Sequence, residues 1–159
     1  MIGIGLIGIQ EKTGRKMLTR LIHQFLYYGS IETKRMIPIL ITIMGIVDFD
    51  IQKTDLLYKL AHDDDEELAL RSLLGLGLIS AGSNNSRIAS LLRNLAIYYE
   101  NDKNFLFVIR LSLGLLYLGK GLIGVNPFYS EDFLVNKAGF GGLFIILIAM
   151  TDMKAFILD

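Results

Sequence analysis

The sequence predicts an all-α solenoid, a stack of helix pairs in which a nearly all-apolar inner helix alternates with an amphipathic outer one. Three observations carry this. An apolar string bearing small residues recurs: GLIGIQE from Gly5, TIMGIVD from Thr42, GLISAGS from Gly77, GLLYLGK from Gly114 and GLFIILI from Gly142, at offsets of 37, 35, 37 and 28 residues. A second kind of string with apolar residues at three-to-four spacing follows the first, and that period is helical. Carboxylates and hydroxyls gather just where each apolar helix would begin. Self-similarity at a fixed period marks stacked repeats, because a single helix pair cannot bury its own apolar face.

The repeats are expected to start near residues 2, 31, 64 and 103, with a shortened one near 131. With the five apolar strings aligned, the second column is Leu6, Ile43, Leu78, Leu115 and Leu143, apolar throughout. The fourth column holds Gly8, Gly45 and Ser80 before turning large at Tyr117 and Ile145. Outer helices are expected over 18–28, 55–63 and 87–99. Leu18, Leu21, Ile22, Phe25 and Leu26 form one apolar stripe and Ile88, Leu91, Leu92, Leu95 and Ala96 its equivalent, with Arg20, Gln24, Lys59 and Arg93 expected in solvent. Helix starts are read at Ser30-Ile31-Glu32, at Asp63 to Glu67, at Asn101-Asp102 and at Ser130-Glu131-Asp132, since acids and hydroxyls suit the amides and dipole of a first turn. Pro38, about two turns into its helix, is expected to kink it. Segment 120–130, KGLIGVNPFYS, breaks the pattern and is read as replacing an outer helix.

Composition narrows the function classes. The chain has 159 residues, 52% of them hydrophobic, with 16 basic and 16 acidic side chains and zero formal net charge. No basic footprint for nucleic acid results; Lys12, Arg15, Lys16 and Arg20, joined by Glu11, read as a solvated helix face. With no cysteine there is no disulfide, thiolate zinc site or cysteine nucleophile, and an intracellular setting is expected. Asn84-Asn85-Ser86 is a formal glycosylation sequon without an expected secretory leader. A mean hydropathy of +0.47 raises the membrane question, but the uncharged strings 138–151 and 36–47 fall short of the roughly 20 residues a bilayer span needs. They read as buried helices.

Several motifs compete with the repeat reading. GIGLIG at 3–8 matches the dinucleotide fingerprint, and Gly114 to Lys120 falls one residue short of the phosphate loop. The first lacks a preceding strand and the second has Gly121 where a magnesium-binding hydroxyl belongs. Gly5, Gly8, Gly45, Gly77, Gly82, Gly114, Gly119 and Gly142 are instead expected to be structural, letting helices approach closely at a propensity cost of up to about 1 kcal/mol each. No cofactor is expected. HDDDEE (62–67) offers oxygen ligands and an imidazole but no turn glycine to converge them, so it reads as a helix start. His23 and His62 lie on successive outer helices with no triad partner in view. Tyr27-Tyr28 and Tyr98-Tyr99 end outer helices and are expected to pack between neighbours. No catalytic constellation is found, and the chain reads as a non-enzyme.

Three strings carry a family resemblance: LAHDDDEELALRSLLGLGLISAGSNNSRIASLLRNLA (60–96), LFVIRLSLGLLYLGKG (106–121) and NPFYSED (126–132). They resemble the proteasome/cyclosome repeat arrays of the non-ATPase subunits in the base of the proteasome's regulatory particle, across essentially the whole chain. GSNNSRIASLLRNLA and LGLLYLGKG favour the subunit-one branch over the subunit-two branch. The resemblance implies the C-terminal part of a toroid of helical repeats, a scaffold that sits on a ring of ATPases in cytoplasm and nucleus. It implies partners among the regulatory-particle subunits, ubiquitin and ubiquitin-like domains of shuttle receptors, though no ubiquitin-contact residue is carried onto this chain. The uncapped apolar ends read as those of a piece of a larger protein, expected to self-associate through its exposed repeat ends. The repeat grammar alone leaves open a helical-repeat adaptor unrelated to proteolysis, and a nucleotide-binding enzyme is the third reading.

Overall fold

A computed structural model describes residues 2–9, 12–129 and 135–158. Eight α-helices follow in chain order among these: α1 (Ile2–Ile9), α2 (Lys12–Tyr28), α3 (Ile31–Val47), α4 (Ile51–Leu60), α5 (Glu66–Ile79), α6 (Ser86–Tyr98), α7 (Lys103–Leu116) and α8 (Lys137–Ala149). An isolated bridge between Phe128 and Val135 is the one strand-like pairing among the described residues. The chain is an all-α solenoid. α1, α3, α5 and α7 pack one against the next as an inner layer, and α2, α4 and α6 lie outside it.

Burial follows from composition. α3 is buried continuously from Ile37 to Ile46 and α5 from Leu68 to Ile79, because neighbours touch both of their sides. α6 buries only Ile88, Ala89, Leu92 and Leu95, the stripe its three-to-four spacing dictates. Arg20, Gln24, Lys59 and Arg93 are exposed as expected. Arg15, expected in solvent with Lys16 and Arg20, is instead buried at 6% exposure. α3 runs as one helix through Pro38, and Thr42 Oγ1 donates to the Pro38 carbonyl at 2.7 Å.

Helix starts divide into two kinds. Asp50, Asn85 and Asn136 accept side-chain hydrogen bonds from the Gln52, Arg87 and Gly139 amides, which supplies the first-turn amides with an acceptor. Ser30, Asp65 and Asp102 sit at N-cap positions but make no such bond. The expected start at Ser130 to Asp132 lies outside the described residues.

The inner helices meet at small residues. A methyl group built on Gly5 would lie 2.6 Å from Leu40 Cδ1, and one on Gly45 would lie 2.5 Å from Ile79 Cδ1. One on Gly77 would lie 2.7 Å from the Ser112 α-carbon, so backbone and not a movable side chain fills that space. Gly8 packs within its own pair, against Leu18. Gly75, absent from the expected glycine set, holds the Thr42 hydroxyl against its α-carbon. The other expected glycines differ. Gly82 (φ 69°) and Gly119 (φ 57°) adopt left-handed turn backbone, outside the α-helices, and serve conformation there. Gly114 and Gly142 are helical but have nothing within 4 Å of an added methyl.

The expectation that the last glycine string extends the stack beyond α7 needs correction. After a short 3-10 turn at Leu118–Gly121, the chain runs back across the stack; the Gly82 α-carbon abuts the Ile123 carbonyl. Residues 122–129 form no helix, so this segment stands in place of an outer helix. α8 then lies with Leu143 and Leu147 in an apolar pocket shared with Leu6 of α1 and Ile43 and Val47 of α3. Residues just beyond it reach the start of α5, so α8 runs antiparallel to α3. The stretch Lys103–Gly121 is long and apolar enough by composition to cross a membrane. Here α7 ends at Leu116, and its Phe105, Val108, Ile109, Ser112 and Leu116 face is buried against the stack.

Gly77→Ala is expected to lower stability. The helix-propensity gain of about 1 kcal/mol is outweighed by about 1–3 kcal/mol of overpacking against backbone. Gly114→Ala, with open space, is expected to raise stability by up to about 1 kcal/mol. Urea midpoints of the two variants would show opposite signs; equal signs would contradict the packing described.

Candidate functional site

The acidic run at 62–67 is the most chemically dense part of the chain. α3 and α5 lie side by side with their N-termini together, which sets Arg35 opposite the first turn of α5. Arg35 Nε donates to Asp65 Oδ2 at 2.6 Å and Nη2 to Oδ1 at 3.2 Å, a two-pronged pair, while Nη1 lies 3.1 Å from Glu67. Hydrogen bonding to Asp65 raises the Arg35 pKa above its ordinary value. Asp65 is thus occupied by a guanidinium, which is why it makes no bond to the helix amides.

One turn further along, Arg71 is 6% exposed. It donates to the Arg35 carbonyl at 2.9 Å, to Glu67 Oε2 at 3.2 Å and to the Thr151 carbonyl, beyond α8, at 2.6 Å. Burial pushes its pKa below the usual value and Glu67 opposes that; a guanidinium stays charged regardless. Lys154 donates to Glu66 at 3.0 Å from the same tail, and this bond raises the Lys154 pKa. The acids read from sequence as a helix start therefore anchor three segments of chain. Arg35 and Arg71 were not singled out in the sequence, because an arginine inside an apolar run gives no sign of what lies 80 residues away in sequence.

Beside this node an aromatic run crosses from α4 to α7. His62 packs edge-on against Tyr58 at 4.8 Å and near Tyr98 at 5.1 Å, Tyr98 meets Tyr99 at 4.8 Å, and Tyr99 stacks on Phe105 at 4.0 Å. The Tyr99 hydroxyl donates to the Ala61 carbonyl at 2.6 Å. With Asp63, Asp64 and Asp102, the rings of His62, Tyr98, Tyr99 and Phe105 border an open cleft of about 690 Å³. Tyr27 and Tyr28, expected to pack between repeats, are instead 80% and 91% exposed. His23 pairs with its own helix through the Thr19 carbonyl. Among the described residues no cluster of three or more His, Cys, Asp or Glu is arranged to hold a metal.

The nucleotide motifs land in unsuitable places. GIGLIG lies inside α1, where helical hydrogen bonds consume most of its amides. Gly119-Lys120 follows the C-terminal end of α7, the negative end of a helix dipole, which disfavours phosphate.

Two variants test the site. Arg71→Met leaves the Thr151 and Arg35 carbonyls without their donor, at a cost of about 1–3 kcal/mol, and amide exchange at 150–158 should accelerate. Unchanged protection there would show that Arg71 does not hold the tail. Burial raises the Tyr99 pKa, so the fold favours the neutral phenol. That contribution is complete below the unfolded value near 10 and disappears as pH climbs through the folded one. The stability gap between the native chain and Tyr99→Phe should therefore narrow in alkali; a constant gap would contradict the buried hydrogen bond.

Comparison with known proteins adds the family. Residues 72–104, from α5 to the start of α7, match the proteasome/cyclosome repeat. The chain is 38% identical over 158 residues, 99% of its length, to the 26S proteasome non-ATPase regulatory subunit 2 homolog A of Arabidopsis thaliana. It is 36% identical over 157 residues to the 26S proteasome regulatory subunit rpn-1 of Neurospora crassa, and 40% identical over 154 residues to the 26S proteasome non-ATPase regulatory subunit 2 of Dictyostelium discoideum. It spans 17–18% of the length of these relatives. The two styles of name number the same subunit. Nearly the whole chain is thus similar to one stretch of the rpn-1-type non-ATPase regulatory subunits, and residues 72–104 within it match the proteasome/cyclosome repeat.

Proposed function

We propose that the chain is a non-catalytic scaffold segment of a proteasome regulatory-particle subunit, serving ubiquitin-dependent protein degradation. The observation that supports this is alignment at 38% identity along 99% of the chain to a subunit whose name states that it is a regulatory non-ATPase. The physical argument agrees with it. Inner helices buried against one another give a stiff frame, and outer helices present charge and aromatic edges to partners. Function in such a frame rests on surface shape and not on a reacting group.

On this reading the repeats begin near 2, 31, 64, 103 and, shortened, near 131, and belong to a larger toroid. Gly5, Gly45 and Gly77 act as packing points between successive inner helices. Partners are other regulatory-particle subunits including the ATPase ring, with ubiquitin or ubiquitin-like domains engaged through the parent protein. The setting is cytoplasm and nucleus. The isolated chain self-associates through its exposed repeat ends.

The test is affinity purification of the full-length parent from its own cells with mass spectrometry of what accompanies it. ATPase-ring and lid subunits in near-equal amounts are the expected result. Their absence would leave only a shared repeat architecture and overturn the proteasome reading.

A further inference from the structure

The acids near the starts of α5 and α7 divide into two groups. Asp65, Glu66 and Glu67 are paired with cations of the same chain, Arg35, Lys154 and Arg71. Asp64 and Asp102 form no ion pair and no side-chain hydrogen bond among the described residues, and Asp63 accepts from the Asp65 amide. Asp102 holds the N-cap position of α7, yet its side chain makes no capping bond. The fold neutralises the acids it uses and leaves three carboxylates on the border of one cleft.

That cleft, of about 690 Å³, lies between the α4–α5 turn and the α6–α7 turn, and both turns with their four helices are whole in this chain. Its aromatic wall is preformed. Tyr99 is fixed from two directions, stacked on Phe105 at 4.0 Å and donating to the Ala61 carbonyl at 2.6 Å. Tyr98 stands edge-on to Tyr99 at 4.8 Å but is 64% exposed, a large ring left open to solvent. With Glu66 cancelled by Lys154, the lining sets Asp63, Asp64 and Asp102 against a single cation, Lys103. A rigid aromatic face in a negative cleft suits a cation that can lie on the ring and also fork to a carboxylate. A guanidinium does both. An anion would be repelled there, and a neutral apolar segment would strip the carboxylates of water without replacing it.

We propose that this cleft docks a basic segment of a partner protein, with an arginine lying on Tyr98 and paired with Asp64 or Asp102. This rests on the scaffold reading above and gives the chemistry of one of its partner surfaces. The charges lie at an open cleft, so they act on the choice of partner and the rate of encounter more than on raw affinity.

The test uses the full-length parent in its own cells, with a photo-crosslinking phenylalanine analogue in place of Asn101, which borders the cleft. Mass spectrometry identifies the crosslinked peptide and the proteins that accompany the parent. The expected crosslink falls on a partner segment with arginine or lysine next to the linked residue. Its yield should fall about tenfold or more when Asp64→Asn and Asp102→Asn are combined, and likewise with Tyr98→Ala. Asp64→Glu with Asp102→Glu, and Tyr98→Phe, should keep the crosslink, which separates recognition from loss of folding. A crosslink to a neutral or acidic segment, to the parent's own chain, or one that survives the Asn pair would overturn the proposal. No crosslink from a parent that still brings down the ATPase ring would overturn the cleft and leave the scaffold reading standing. A basic crosslink from a parent that brings down no regulatory-particle subunit would support the cleft and overturn the proteasome reading.

Discussion

The structure depends on one helix being enclosed from every side. α5 has no exposed residue from Leu68 to Ile79, and it packs on α3, α4 and α7. Leu70, Leu73 and Leu76 are fully buried, each contributing roughly 1.5–3 kcal/mol by removal from water. Enclosure demands that the neighbours come close, and close approach is possible only where side chains are small. Gly75 beneath the Thr42 hydroxyl and Gly77 against the Ser112 backbone, two residues apart on α5, admit α3 on one side and α7 on the other. Enlarging either residue separates the stack at its centre.

Enclosure also creates a polar difficulty that the Arg35–Asp65–Glu67–Arg71 node meets in large part. A buried guanidinium is costly unless its hydrogens find acceptors; the two Arg71 Nη groups find a carboxylate and two carbonyls, while its Nε has no partner among the described residues. One of those carbonyls, Thr151, belongs to the tail beyond α8. The same interaction that makes a charge tolerable inside α5 thus fastens the returning chain across the start of the stack. One buried residue links the interior of α5 to the path of the last helix.

Much of this was legible in the sequence. The repeat period located the helix pairs, since the alternation of all-apolar and three-to-four patterned strings is a local property. Solvent positions such as Lys59 and Arg93 followed from the same pattern. The course of α8 did not, because GLFIILI matches the repeat register and nothing local distinguishes a helix that extends a stack from one that folds back over it. Arg15 was misread for a related reason: a basic string looks solvated until folding buries one member. Gly82 and Gly119 shared the spacing of packing glycines while being required by left-handed turns, and sequence spacing does not separate those two uses. The acidic run was read as a helix start, where it does lie, but nothing local showed that Arg35, on a helix 30 residues earlier, pairs with Asp65.

The central claim is that α5 is the keystone, the last element to lose structure because it is enclosed by the rest. Native-state hydrogen exchange under low denaturant tests this directly, since local openings and global unfolding separate by their free energies. The account predicts that α5 amides from Leu68 to Ile79 exchange only at the free energy of global unfolding, while α1, α2 and α8 open earlier. Exchange from α5 at the free energy of the outer helices would contradict it.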